Sequence, residues 1–424
     1  AKIQLFQIIE ERFMNSTLKE LERNCAPIDF IEPLARLVLD DLAMWANDNI
    51  YSKKYGCLTY ELPLDGNINA ACTSYHDSRY RTHIEINLGM VQEIYIQSFT
   101  YPGYIKNLES GNWHFNALDE PFSDAEFLFE GGIPPRISAS DTVAHMVELY
   151  KNIPNNRNTM WTDEELICRF AMFELMIAWI FFHELAHHVQ GHYKIKKEIK
   201  ESVTYHELDY SSNTNNSNPE VTPSVIQKNI DQHAREILAD LEGMYLTLRM
   251  MVRNDTLTPP NTFLLLYVQT SMFNVFYKLS EGKYTELDSV KVSHPHPVIR
   301  NKFVHALYVS VMSWELGNEI YQDYRQSVSR GFEYYTVKSS LLAGMIWAMR
   351  QSDYSPDAMP QFLKFSDETE YSTDYNYLRE LTLSAERQSS MISLLHIIDN
   401  DSDNIFKLTK LDNLFTHFLN VNEE

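Results

Sequence analysis

Two periods run through the hydrophobic and polar positions of the chain, and the helical one dominates. Within residues 1 to about 50, Ile31, Leu34, Leu37, Val38, Leu42 and Trp45 recur at helical spacing, which predicts helix. Two β-like runs follow, Cys57–Leu64 and Ile68–Tyr75, separated by the turn signal Asp65-Gly66. Arg81–Leu88 alternates, with Thr82, Ile84, Ile86 and Leu88 on one face and His83, Glu85 and Asn87 on the other. That pattern predicts a strand half-buried against helices. A helix is expected from about Gly89 to Phe99 and a shorter one from about Ser140 to Asn152, with irregular sequence across Gly103 to Arg136.

The dominant stretch runs from Trp161 to His192. It opens on a capping box, Thr162 with Glu165, and meets no proline or glycine before Gly191. From Phe170 to Phe182 it is apolar on nearly every side, as in a helix buried in a core. A charged extension, Lys194–Glu201, and a low-complexity polar stretch, Ser211–Ser224, follow; the latter cannot bury a core and reads as a mobile surface loop. Beyond it helices are expected over about 226–252, 262–279, 297–316, 320–331, 337–350, 377–400 and 406–420. The expected fold class is mainly α (α+β) with a small N-terminal sheet. Its parts are an N-terminal helical region, 1–56, a core, 57–316, with a polar loop at 202–225, and a C-terminal helical region, 317–424. Pro356, Pro360 and the acidic run Ser366–Asp374 mark the break before the last helices.

Composition narrows the function. The 58 acidic residues outnumber the 36 Lys and Arg, for a net charge of -22. Nucleic-acid binding needs clustered basic residues, so that class is set aside, as is adsorption to an anionic membrane. The four cysteines, Cys25, Cys57, Cys72 and Cys168, show no C-x-x-C spacing; Cys168, inside the buried helix, reads as a reduced core thiol. The opening AKIQLFQIIEERF holds no apolar run long enough for a signal peptide. Glu165, Arg169 and Glu174 would be costly in a bilayer, so no membrane span is expected and the chain reads as soluble and cytoplasmic.

The buried helix ends in His183-Glu184-Leu185-Ala186-His187. Histidines four apart lie about 40° from each other around a helix, so both imidazoles can address one ion. Glu184, one step round, can touch a water on that ion without ligating it. This is the H-E-x-x-H arrangement of zinc peptidases; its bland counterpart is two hydrogen-bonded histidines near a helix end. A catalytic zinc needs a third protein ligand, and His233–Gly243 offers one. Glu236 is assigned as that ligand, and Asp240 as the group that bonds the far ring nitrogen of a ligand histidine. Asp240 as ligand, His233 as reserve ligand, and an ordinary amphipathic helix with solvated acids are the alternatives. Gly243 would let this helix approach the first closely.

His183-Glu184-Leu185-Ala186-His187 with His192, followed by Glu236-Ile237-Leu238-Ala239-Asp240, resembles the gluzincin zinc metallopeptidases, especially the HtpX and CaaX-prenyl-protease type. Lit-like soluble bacterial peptidases are similar in size and motif style. Ser293 to Arg300 is similar to the histidine-proline and arginine motif that follows the glutamate helix in those families. The specific likeness is confined to these three motifs. Gln190 at the glycine position excludes the metzincin pattern, and the tail beyond Leu316 lies outside the resemblance.

The resemblance implies a zincin-like metallopeptidase core and one Zn²⁺ on His183, His187 and Glu236, with Glu184 as general base. It also makes His294 or Arg300 the candidate second electrophile for the oxyanion, beside the possibility of a tyrosine; a structured turn before the helix at Pro297 is the alternative for His294 and His296. Such enzymes commonly pair an extended substrate with an edge strand, for which Arg81–Leu88 is the candidate, with a plain core strand as the alternative. The expected function is a zinc endopeptidase with a protein or peptide substrate and room for a regulatory protein partner. A regulatory or interaction protein with a structural metal site, and a hydrolase of non-peptide amides, are the alternatives.

Overall fold

The computed structural model describes residues 28–75, 81–102, 137–152, 161–192, 202–206, 223–279, 294–320, 336–340, 342–344 and 375–389. The expected helices at 320–331 and 406–420, and the first 27 positions, lie outside these residues but for Ile320. Helix accounts for 77% of what is described, so the mainly α expectation holds.

Helix α1 (Ile28–Ala46) buries Ile31, Leu34, Ala35, Val38, Leu39 and Leu42, a stripe at the spacing the sequence shows. It widens into a π-helical turn over Asn47–Tyr51. The Asn47 amide explains where the chain turns. Its Nδ2 donates to Ala43 O (2.9 Å) and Leu58 O (3.0 Å), while its Oδ1 accepts from Leu58 N (2.8 Å). Helix end and first strand are thereby clasped together.

Strands β1 (Cys57–Glu61), β2 (Ala70–Tyr75), β3 (Arg81–Ile86) and β4 (Ser202–His206) form one sheet in the order β1-β3-β2-β4. β3 pairs parallel to β1 and antiparallel to β2; β4 pairs antiparallel to β2. The alternation of β3 is correct as to faces: Thr82, Ile84 and Ile86 are buried, whereas His83 and Glu85 are half-exposed. The edge-strand expectation for Arg81–Leu88 is corrected, because both backbone edges of β3 are already paired. Among the described strands the edges are β1 and β4. The 202–225 loop also loses its ends: 202–206 form β4, secured by cross-strand pairs such as Thr204↔Thr73, and 223 opens a helix.

Helices α2 (Leu88–Gln97) and α3 (Asp141–Lys151) lead to α4 (Asp163–Val189). Its capping box forms as expected: Thr162 N donates to Glu165 Oε2 (2.6 Å), and Glu165 N to Thr162 Oγ1 (3.2 Å). α1, α2, α3, β2 and β3 pack around α4, as do α5 (Pro223–Arg253) and α6 (Pro259–Leu279). By length and composition α4 could cross a membrane, but 94% of its most apolar window is buried inside the protein. Its one core cation, Arg169, lies among the rings of Tyr95, Phe99, Tyr150 and Phe170.

Helix α7 (Pro297–Ile320) packs against α5 and α6. α8 (Tyr375–Ser389) lies along α5, where Asp231 Oδ1 accepts from Ser384 Oγ (2.6 Å) and Arg387 Nη2 (2.7 Å). Tyr377, Leu381 and Ala385 join the same hydrophobic core as α4. Cys72 and Cys168 are buried thiols, pushed up by burial before any other cause and thus kept in the unreactive protonated form.

Candidate metal centre

The last two turns of α4 carry His183, Glu184, His187 and His188, all buried. Neighbouring positions point about 100° apart around a helix, so they divide into two pairs. Glu184 and His188 turn toward the sheet. His188 Nδ1 is 2.8 Å from Ser74 Oγ, and the Glu184 carboxylate is near enough to Cys72 to help raise its thiol. His183 and His187 turn toward α5.

Gly243 sets how closely α5 can come. A Cβ there would stand 3.2 Å from His183 N and 3.3 Å from its Cα, closer than side-chain atoms ordinarily pack against backbone. The helices run antiparallel, so one and two turns before Gly243 lie Asp240 and Glu236, level with the histidines. Gln190, just past the end of α4, ties the crossing through Nε2 to Leu238 O (2.9 Å).

The donor atoms converge. His183 Nε2 and His187 Nε2 are 3.2 Å apart, and each is 3.6 Å from Glu236 Oε2. An ion bound at zinc-like distances with tetrahedral angles would hold its ligand atoms about 3.3 Å apart. Glu236 Oε2 is buried and, among the described residues, has no donor at close hydrogen-bond distance; the nearest imidazole nitrogens, of His183, His187 and His294, stand 3.5–3.6 Å away. A buried carboxylate oxygen left without a proton donor is costly unless a cation shares it. On both counts the residues fit a metal ion: the buried group His183, His187 and Glu236 could bind one. Burial alone would raise the Glu236 carboxyl, but the imidazoles of His294, His187 and His183 outweigh it and hold the group well below the usual carboxylate range.

The surrounding shell is equally defined. His183 Nδ1 lies 2.9 Å from Asp240 Oδ1, the residue expected beside that ring nitrogen. Asp240 is in turn gripped by Arg300, Nε to Oδ2 and Nη2 to Oδ1, both at 2.7 Å. That commits the Arg300 fork to Asp240, which removes it as the second electrophile. His294 does reach the site, with Nε2 3.5 Å from Glu236 Oε2.

His233, the reserve ligand, is not part of the group that could bind an ion. Its Nδ1 meets Tyr377 Oη at 2.7 Å, and the ring is buried rather than solvated. His296, two positions from His294, serves the backbone: Nδ1 accepts from Val298 N (3.2 Å) at the start of α7, and burial holds its pKa down at about 3.

Sequence reasoning missed one close partner. His192 Nδ1 lies 2.9 Å from His187 Nδ1, and His192 is fully buried. The sequence showed His192 only as part of the resemblance, five positions after His187, and gave it no role.

No protein-family model, curated protein or solved structure matches the chain. The functional reading therefore stands on this geometry.

Proposed function

We propose that the chain is a zinc-dependent endopeptidase of the gluzincin kind, with a zincin-like core, acting on a protein or peptide substrate in the cytoplasm. The observation that carries this reading is the convergence of His183, His187 and Glu236, with Glu184 one helical step from His183. Two histidines and a glutamate make a three-ligand set that suits zinc and leaves a fourth position open, as catalytic sites do. A structural site would have all four positions filled by protein and no use for Glu184.

When bound, the ion supplies Lewis acidity, which activates a water molecule and polarises a carbonyl. The protein does the rest. Asp240, backed by Arg300, fixes the ring of His183 with Nε2 turned to the shared point. Glu184 takes the proton of the attacking water and passes it to the departing amine. His294, beside Glu236 Oε2, is the side chain placed to donate to the oxygen that gains charge as the peptide carbon becomes tetrahedral.

The test is Glu184→Gln. Expected is a folded protein that retains stoichiometric zinc and cuts no substrate, read by mass-spectrometric comparison of proteins cleaved by wild type and variant. Equal cleavage by the two proteins, or wild type that binds no metal, would overturn the reading.

A further inference from the structure

The geometry points to His192 as the residue that positions His187, by accepting the proton of its far ring nitrogen; this rests on the metal-site reading above. His187 Nε2 faces His183 Nε2 at 3.2 Å and Glu236 Oε2 at 3.6 Å, so Nε2 is the nitrogen aimed at the ion. A neutral imidazole that offers its Nε2 lone pair must carry its proton on Nδ1. At His187 that proton meets one imidazole, with Nδ1 to Nδ1 2.9 Å and the rings tilted by 65°. His192 must then accept at Nδ1 and carry its own proton on Nε2.

The chain is shaped to deliver this contact. Helix α4 stops at Gln190, and Gly191 takes a left-handed backbone (φ 69°) that few other residues adopt at low cost. The turn swings residue 192 back over the last helical turn, and the imidazole comes to rest fully buried beside His187. A polar ring in that place is costly unless it is used.

The two ligand histidines are therefore held by different chemistry. His183 leans on an anion, Asp240, itself fixed by Arg300. His187 leans on a neutral ring. A carboxylate pulls harder on an Nδ1 proton than an imidazole does, so His187 is the weaker donor of the pair. One carboxylate-backed and one imidazole-backed histidine leave the bound ion more electrophilic than two carboxylate-backed ones would.

Two substitutions separate positioning from packing. His192→Phe keeps a ring of similar size but removes the acceptor; His192→Asn puts an amide oxygen near the place of Nδ1. Zinc affinity of the full chain is measured by competition with a chromophoric chelator, with circular dichroism as the control on folding. His192→Phe is expected to weaken zinc binding roughly ten- to a hundredfold, and His192→Asn to restore most of it. The visible spectrum of the cobalt-substituted protein should shift in His192→Phe and return toward wild type in His192→Asn. Unchanged affinity and spectrum in a folded His192→Phe protein overturns the inference, as do equal losses in both variants. Wild type that binds neither zinc nor cobalt removes the metal-site reading itself, an outcome distinct from failure confined to the variants.

Discussion

Arg300 reaches Asp240 from sixty positions down the chain and holds both of its carboxylate oxygens, each at 2.7 Å. Asp240 in turn stands 2.9 Å from His183, so this guanidinium helps set how one ring of the candidate metal group sits. Phe273 and Phe276 face the Arg300 guanidinium at 5.2 and 5.5 Å, which keeps water from competing for it.

Arg300→Lys is expected to lose this control while keeping the charge. An ammonium cannot make the planar two-bond contact, so Asp240 gains freedom to turn from His183. Zinc affinity should fall roughly ten- to a hundredfold. Arg300→Ala leaves a buried carboxylate unpaired and should cost about 3–5 kcal/mol in urea unfolding. Wild-type metal affinity in Arg300→Lys would show that the fork only braces the fold.

Gly243→Ala tests the approach of the two helices. The added methyl meets backbone, His183 N and Cα, and not a side chain that could rotate aside. Overpacking of this kind costs about 1–3 kcal/mol. Because the displaced atoms belong to His183, one of the proposed ligands, zinc affinity should fall together with stability. A variant with lowered stability and unchanged affinity would place the strain elsewhere.

Much of this site could be read from residue order, and the parts that could not share a cause. The Thr162–Glu165 cap, the pairing of His183 with His187 and the stripe of Glu236, Asp240 and Gly243 are set by helical spacing, which is local. The position of β3 in its sheet is not local. Alternation reveals which face of a strand is buried, not which strands lie beside it, and here β1 and β2 take both sides. β4 escaped notice for the same reason: SVTYH, between a charged run and a polar tract, becomes a strand through its pairing with β2. Arg300 read as a candidate second electrophile until the fold brought Asp240 against it. His192 lay in plain sight, but its use depends on a single left-handed residue, Gly191.

Removal of the metal should also be visible in stability. A ligand that binds only the folded state stabilises it by about 4 kcal/mol at a thousand times its dissociation constant. Thermal unfolding of the zinc-loaded protein should therefore move down on treatment with a chelator and recover when zinc is restored. His183→Ala should abolish the response, because it deletes one of the three proposed ligands. A chelator response that survives in His183→Ala would mean that the ion sits elsewhere.

Glu174 links stability to pH outside the candidate metal group. Buried on α4, it accepts from Ser140 Oγ at 2.7 Å, and Ser140 also caps α3 by accepting from Val143 N. Burial is the largest cause that pushes its carboxyl up to about 7; the Asp41 charge adds to this, while the Ser140 hydroxyl and Arg253 oppose it. The unfolded chain releases this proton near the ordinary glutamate value, so between there and about pH 7 the folded state binds a proton that the unfolded state does not. Stability from this group is thus greatest at low pH, declines as pH rises to about 7, and is constant above. The full difference is about 3 kcal/mol. Glu174→Gln keeps an acceptor for Ser140 and removes the titration. Relative to wild type it should gain stability on going from pH 5 to pH 8, by up to that amount, in urea unfolding at the two values. A variant that runs parallel to wild type across that range would mean that Glu174 ionises in the folded protein as readily as in the unfolded chain.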